Sequence, residues 1–208
     1  MQMPRPTPLR LLLACAALLG AAACDGETTQ PVLTDAQIVR VRAAADAPPL
    51  ETLHVQFWAR AGDTKHVEIR YKGTDSYSGD KCVEFNIPGD GLYRLPSGQR
   101  IAKGDSVQIT LDVVDAEHFD FRFSPSGLQF DPAHPAELRV SYKWAADDAN
   151  GDGVVDARDQ ALLRSMAIWG REAPGTQWQR LSTDRDGNVQ ELRARIPGFS
   201  QYAMAGGN

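Results

Sequence analysis

Ten stretches of the chain alternate apolar and polar residues with a period of two: 53–59, 66–72, 82–87, 106–113, 119–123, 138–144, 167–171, 178–182, 189–196 and 202–205. In an extended strand successive side chains point to opposite faces, so this alternation predicts half-buried β-strands. The connections carry turn chemistry: Ala-Gly-Asp at 61–63, Pro-Gly-Asp-Gly at 88–91, Pro-Ser-Gly at 96–98, Lys-Gly-Asp at 103–105 and Ala-Pro-Gly at 173–175. Glycine there supplies positive φ and proline pre-sets the corner. One segment has another period. Ala157, Ala161, Leu162 and Met166 fall at helical spacing, with Asp156 placed to cap the first turn. Many short strands joined by such turns, with one short helix, predict a mainly β fold: an antiparallel β-sandwich with one short helix following an acidic loop.

The N-terminal pattern is different again. Arg5 and Arg10 precede an unbroken apolar run at 11–23 that ends in small side chains before Cys24. A run this short does not span a bilayer as a helix, and it predicts a secretory signal over 1–23. The Ala21-Ala22-Ala23-Cys24 ending resembles a bacterial lipobox. The resemblance implies that Cys24 is lipidated and becomes the first residue of the mature chain; ordinary cleavage after Ala23 is the alternative. The expected location is then the cell envelope, with the protein anchored to a membrane through Cys24. Residues 24–50 read as a tether and short arm, 25–35 being its flexible part. Residues 51–100 read as a β-rich N-terminal part, and 101–208 as a sandwich that carries the acidic loop at 148–159.

That loop is the most specific chemical signal in the chain. Asp148, Asn150, Asp152, the backbone carbonyl of Val154, Asp156 and Asp159 occupy positions 1, 3, 5, 7, 9 and 12, with Gly153 at position 6. Ca²⁺ takes six to eight oxygens in a flexible shell, and a twelve-residue loop supplies them at this spacing, with glycine at the sharp turn. The predicted cofactor is Ca²⁺. Asp159 stands where glutamate is usual, so it must be drawn inward to reach the ion. Val155, at position 8, is expected to anchor the loop to the core. Without a cation the crowded carboxylates repel one another, and the loop is expected to be disordered. A strand pattern, not a helix, precedes the loop. A strand, this loop and an exiting helix resemble a dockerin repeat, written DxNxDGxVDxxDxxLL, over about twenty residues. A dockerin has two repeats. The second candidate here, Asp184-Arg-Asp-Gly-Asn188, has no third acid in place and reads as a hairpin turn.

A second resemblance covers roughly 100–205. Phe-Ser-Pro-Ser-Gly-Leu-Gln-Phe at 123–130, Pro-Ala-Glu-Leu-Arg-Val-Ser-Tyr at 135–142, Ile-Trp-Gly at 168–170, Trp-Gln-Arg-Leu at 178–181 and Phe-Ser-Gln-Tyr-Ala at 199–203 occur in that order. They resemble the ZU-five β-sandwich of netrin receptors, ankyrins and bacterial surface lipoproteins. The resemblance implies a sandwich with no catalytic motif, into which the calcium loop is inserted between two strands.

Composition narrows the functional classes. The formal net charge is −5 for the whole chain. Without Arg5 and Arg10, 20 basic residues face 27 acidic ones over 24–208, a net charge of −7, which argues against nucleic acid as a partner. With Cys15 in the signal and Cys24 lipidated, Cys82 is the single remaining thiol. Its alternating run reads as a buried strand position. The four histidines, His54, His66, His118 and His134, show no helical pair spacing. His118 near Asp115 and Asp120 reads as a loop or strand end, and no enzyme is expected. Trp58, Trp144, Trp169 and Trp178, with Tyr71, Tyr77 and Tyr93, are candidates for a sugar-stacking platform, against the plainer reading of core packing. The expectation is a calcium-binding, non-enzymatic envelope lipoprotein acting as a structural or interaction module. The alternative is a calcium-dependent glycan- or protein-binding module of the adhesion type.

Overall fold

The structure, a computed structural model, describes residues 31–74 and 78–207. It is mainly β, with antiparallel sheets and one short helix. The strands are β1 (Val32–Leu33), β2 (Ile38–Arg40), β3 (His54–Arg60), β4 (Lys65–Arg70), β5 (Lys81–Ile87), β6 (Leu92–Arg94), β7 (Ser106–Asp115), β8 (Asp120–Ser124), β9 (Gln129–Phe130), β10 (Ala136–Ser141), β11 (Ala167–Arg171), β12 (Trp178–Arg180), β13 (Thr183–Asp186), β14 (Glu191–Ile196) and β15 (Gln201–Gly207). The helix, α1 (Ala157–Ser165), lies between β10 and β11.

Two sheets form the layers. One has eight strands in the order β1-β12-β11-β15-β8-β7-β3, with β2 pairing β15 beside that path; the other has five, β13-β14-β10-β5-β4. β6 and β9 pair as a separate two-stranded ribbon. The alternation seen in sequence sets which face goes inward. In β7, Val107, Ile109, Leu111 and Val113 are buried, while Ser106 and Gln108 face solvent. A one-residue slip would exchange those two sets, so the buried face fixes the register.

Residues 51–100 do not make a companion sheet of their own. β3 pairs β7 in the eight-stranded sheet, and β5 pairs β10 in the five-stranded one, so the two stretches build one sandwich. Its centre is aromatic: Phe85 of β5 lies 4.8 Å from Phe123 of β8 and 5.6 Å from Phe199, centroid to centroid. Phe123 and Phe199 stack at 5.1 Å, and Phe130 meets Phe199 edge-on at 5.1 Å. The Phe123–Phe130 and Phe199–Ala203 motifs, far apart in sequence, therefore pack on each other.

A second, smaller apolar cluster lies on the other side of the eight-stranded sheet. Ile38, Ala167, Trp169, Trp178, Ala203 and Ala205 are buried there, with Leu33 packed against them. The arm that carries Leu33 and Ile38 covers it. A tether was expected to run to residue 35, but from Pro31 onward the chain is docked: β1 pairs β12, and β2 pairs the end of β15. Asp35 locks it in place. Its carboxylate accepts from Trp178 Nε1 at 2.8 Å and from Arg171 Nη1 at 2.8 and 2.9 Å, and the Arg171 and Arg40 guanidinium groups flank the Trp178 ring at 4.4 and 5.3 Å.

Candidate metal centre

The loop at 148–159 joins the end of β10 to α1. Two features hold it against the body. Ala149, at position 2, is fully buried and its carbonyl accepts from Arg42 N at 2.8 Å. Past the loop, Leu162 of α1 is buried against Gly206 of β15, where an added Cβ would stand 2.6 Å from Leu162 Cδ1. Glycine at 206 is what lets the helix lie this close. The anchor expected from Val155 is not made. Val155 is 62% exposed and Val154 55% exposed. A single loop has no second loop beside it to cover position 8, so Ala149 and Leu162 carry the burial instead. Ala157 and Ala161, expected on the inner helix face, are exposed as well, and Leu162 and Met166 form that face.

Inside the loop, side-chain oxygens accept backbone N–H groups in series. Gly153 N donates to Asp148 Oδ2 at 3.0 Å, Asp152 N to Asn150 Oδ1 at 2.8 Å, and Val154 N to Asp152 Oδ1 at 2.9 Å. Gly153 has φ +86, the left-handed conformation that the tight turn requires. Asp159 is wholly buried and closes the loop from the helix side. Its Oδ2 accepts from Asp156 N at 2.8 Å and its Oδ1 from Asn150 N at 3.1 Å. The Asp156 N–H, against the opposing effect of burial and with help from Asn150, holds the Asp159 carboxyl below the usual carboxylate range. Asp156 is the N-cap of α1, and with Asp159 at N3 it completes a capping box.

One residue that the spacing argument passed over sits among these acids. The Arg158 guanidinium bonds Asp156 Oδ2 through Nε at 3.0 Å and Nη2 at 2.8 Å, and its Nη2 lies 3.2 Å from Asp152 Oδ2. That bond, with the Arg158 backbone N–H, lowers the Asp156 pKa. The only sequence signal for it is a basic residue inside an acidic loop.

Asp148 stands apart. Its Oδ1 is buried and accepts no hydrogen bond. Leaving a buried polar atom unpaired costs about 1–3 kcal/mol, so such an atom calls for a partner. A hard cation fits the donor set around it: carboxylate oxygens, an amide oxygen at Asn150 and a backbone carbonyl at Val154. Asp159 is compatible, since each carboxylate oxygen that accepts one N–H keeps lone-pair capacity for an ion. No three of the loop's carboxylates bring ligand atoms within 4.8 Å of one another. Among the described residues that spacing is reached by His66, Glu68 and Glu84.

The His66 group lies on the outer face of the five-stranded sheet and only Glu84 is buried. Its oxygens already have partners. Glu84 takes hydrogen bonds from Lys81 Nζ and Asn86 Nδ2, and Arg139 Nη1 is 3.4 Å away. Glu68 is bonded to Arg70 at 2.6 Å. A dication here would have to displace resident cations, so the group reads better as an ion-pair lattice across β4, β5 and β10.

The other candidates separate. Cys24 lies outside the described residues. Cys82 is buried on β5, and burial pushes its thiol up to about 12, which leaves it protonated and unreactive at neutral pH. His118 Nδ1 is 2.8 Å from Asp115 Oδ2 at the β7–β8 turn, and His54 Nδ1 is 2.6 Å from Asp112 Oδ1 across β3 and β7. Most of the candidate platform aromatics follow the plainer reading of core packing. Trp169, Trp178 and Tyr71 are buried, Trp144 is half-buried beside Asp80, and Tyr77 lies outside the described residues. A cleft of about 740 Å³ opens between the ribbon and the 197–200 turn, lined by Tyr93, Pro96, Gln129, Pro132, Glu172 and Phe199 among others. β10 begins on the cleft side and ends at the loop, which puts cleft and loop at opposite ends of that sheet. Compared with models of known protein families, with curated proteins and with solved structures, the chain finds no match in any of the three.

Proposed function

We propose that this protein is a calcium-binding, non-enzymatic cell-envelope lipoprotein, tethered through Cys24, whose β-sandwich serves as a structural or interaction module. The observation that carries the calcium half is Asp148 Oδ1, a buried acid oxygen without a donor, at position 1 of a loop whose oxygen ligands follow the calcium spacing. The resemblance to ZU-five-like sandwiches of bacterial lipoproteins and the N-terminal signal support the envelope half.

In this reading Ca²⁺ acts as a staple. The loop leaves β10 of one sheet and delivers α1 onto β15 of the other, so an ion shared by Asp148 and Asp159 ties the two ends of that crossing. Asp148, Asn150, Asp152, the Val154 carbonyl, Asp156 and Asp159 would hold it. Arg158 would give up its fork on Asp156 and its contact with Asp152 as the ion arrives, because both compete for the same oxygens. The ion binds the folded loop and hardly binds the unfolded chain, so it stabilises by mass action.

The test is a pair of thermal melts of the chain from Asp25 onward, in calcium and in excess chelator. At a free calcium concentration a hundred times Kd, the gain is about 2.7 kcal/mol, a rise in Tm of roughly 5–10 °C for a chain of this size. Asp148→Ala should remove the rise while lowering the melt in chelator less than Asp159→Ala does, since it strips only the Gly153 N–H of its acceptor and also removes the unpaired buried Oδ1. Asp159→Ala should remove the rise and also lower the melt in chelator, since it strips two backbone N–H groups of their acceptor. A wild-type melt indifferent to calcium, with no binding heat on calcium titration, overturns the assignment.

A further inference from the structure

Arg158 stands where neither helix electrostatics nor packing favours it. It is the second residue of α1, in the turn whose free backbone N–H groups carry partial positive charge. A cation there opposes the helix dipole, whereas the acids Asp156 and Asp159 on either side suit it. The side chain is 69% exposed, so it adds little to the core.

What Arg158 does engage is two of the side chains assigned to calcium. Its Nε and Nη2 donate to Asp156 Oδ2 at 3.0 and 2.8 Å, and Nη2 lies 3.2 Å from Asp152 Oδ2. The other oxygen of each acid serves the backbone: Asp152 Oδ1 accepts from Val154 N at 2.9 Å, and Asp156 Oδ1 from Arg158 N at 2.7 Å. The oxygens under the guanidinium are therefore those that these two acids can turn to an ion without also holding a backbone N–H. Asp148 and Asp159 carry no such fork; their hydrogen bonds come from the backbone N–H groups of Gly153, Asp156 and Asn150. A second arginine supplies a comparison. Arg42 of the arm lies against the loop, where a Cβ on Gly151 would stand 3.3 Å from its Cδ and 3.6 Å from its Nη1. Among the described residues its guanidinium forms no ion pair or hydrogen bond with the loop's acids.

We propose that Arg158 is an internal counter-cation that sets the calcium affinity of the loop. Guanidinium and ion exchange on Asp152 and Asp156, so the loop binds calcium more weakly than its carboxylates alone would allow. This regulation rests on the calcium reading above. Ligand charge count is one of the properties by which such loops tune Kd, and Arg158 takes the charge of Asp148, Asp152, Asp156 and Asp159 from −4 to −3. The fork is exposed and screened by water, so direct competition is worth a factor of a few, and removing a unit charge this close to a dication adds a similar factor. Together the two effects amount to roughly three- to tenfold in Kd.

The test is calorimetric titration of calcium into the chain from Asp25 onward, with melts in calcium and in chelator, for wild type, Arg158→Gln, Arg158→Lys and Arg42→Gln. Arg158→Gln should bind calcium roughly three- to tenfold more tightly than wild type. Once free calcium exceeds both Kd values, its calcium-induced rise in Tm should exceed that of wild type by roughly 1–5 °C. Arg158→Lys keeps the charge but loses the two-pronged bond, and should fall between. Arg42→Gln removes the same charge beside the loop without uncovering a ligand, and should change Kd by less than about twofold. Because both arginines are exposed, every variant should melt in chelator within a few degrees of wild type, which separates altered binding from altered fold. Unchanged or weaker calcium binding by Arg158→Gln overturns the proposal. So does an equal gain from Arg42→Gln, for the loop would then respond to the general field and not to release of its ligands. Failure of the calcium reading looks different: no binding heat from wild type or from any variant, which overturns both. Binding by Arg158→Gln with none by wild type upholds the counter-cation in its strongest form.

Discussion

Asp35 and Asp120 belong to one hydrogen-bonded chain on the eight-stranded sheet, yet their carboxyls are displaced in opposite directions. Asp120 is 5% exposed, and burial raises its pKa although Gln201 Nε2 donates to both its oxygens at 2.8 Å. The Trp178 indole N–H, with the Arg171 and Arg40 charges, lowers that of Asp35 against the opposing effect of burial. The signs of their pH effects follow. A carboxyl depressed on folding adds stability above its unfolded value, near 3.9, and loses it as pH falls through the folded value. A carboxyl raised on folding contributes in reverse, losing stability as pH rises through its folded value. Asp35→Asn should therefore melt lower than wild type at pH 5–7, by the equivalent of about 1 kcal/mol or less since the side chain is half in water. The two melting curves should converge as pH falls below the usual carboxylate range; a gap that stays constant through that fall would show that the charge of Asp35 is not what holds the arm.

At the scale of the element, α1 is a nine-residue helix and has little stability of its own. Three contacts fix it: the Asp156 and Asp159 capping box at its start, Leu162 against Gly206 in its middle, and Arg185 Nη1 on the Leu163 carbonyl at 2.7 Å near its end. The last places a cation where a helix terminus carries unpaired carbonyls and partial negative charge. The cap predicts a result that separates it from any metal role. In chelator, Asp156→Ala should lower the melt by roughly 2–4 °C, while Asp152→Ala, which loses only the exposed Val154 N–H and a contact with Arg158 and caps no helix, should lower it less. Equal effects of the two would mean that the box does not hold the helix. The element itself was legible in sequence, because helical spacing and an N-cap acid are local signals. The periodicity also anticipated strands at β3, β4, β5, β7, β8, β10, β11, β12, β14 and β15, with ends shifted by a few residues. β1, β2, β6, β9 and β13 were not anticipated. Four of these have two or three residues, too few to show a period, and β13 is the hydrophilic run Thr-Asp-Arg-Asp, held by pairing with β14. The turn expected near Asp184–Asn188 does form, but after Asp186, so Asp184 and Asp186 lie in the strand.

Over the whole molecule, each sheet is assembled from distant parts of the chain. β5 sits between β4 and β10, and β3 forms the edge beside β7. A fragment of residues 101–208 would keep β7 to β15 but lose β5, and with it Phe85, which joins Phe123, Phe130 and Phe199 in the core. Such a fragment should lack a cooperative melt and bind hydrophobic dye; a sharp two-state transition would overturn the description of 51–208 as one sandwich. The sequence by itself determined the β class, the position of the helix and the ligand spacing of the loop. All of these depend on neighbours a few residues apart. Only the tertiary structure decided that Ala149 and not Val155 anchors the loop, that Asp148 keeps a buried oxygen without a donor, and that Trp58 alone among the four tryptophans is mainly exposed. Each depends on which strand lies opposite and which element covers a face, and those partners come from parts of the chain that no local pattern connects.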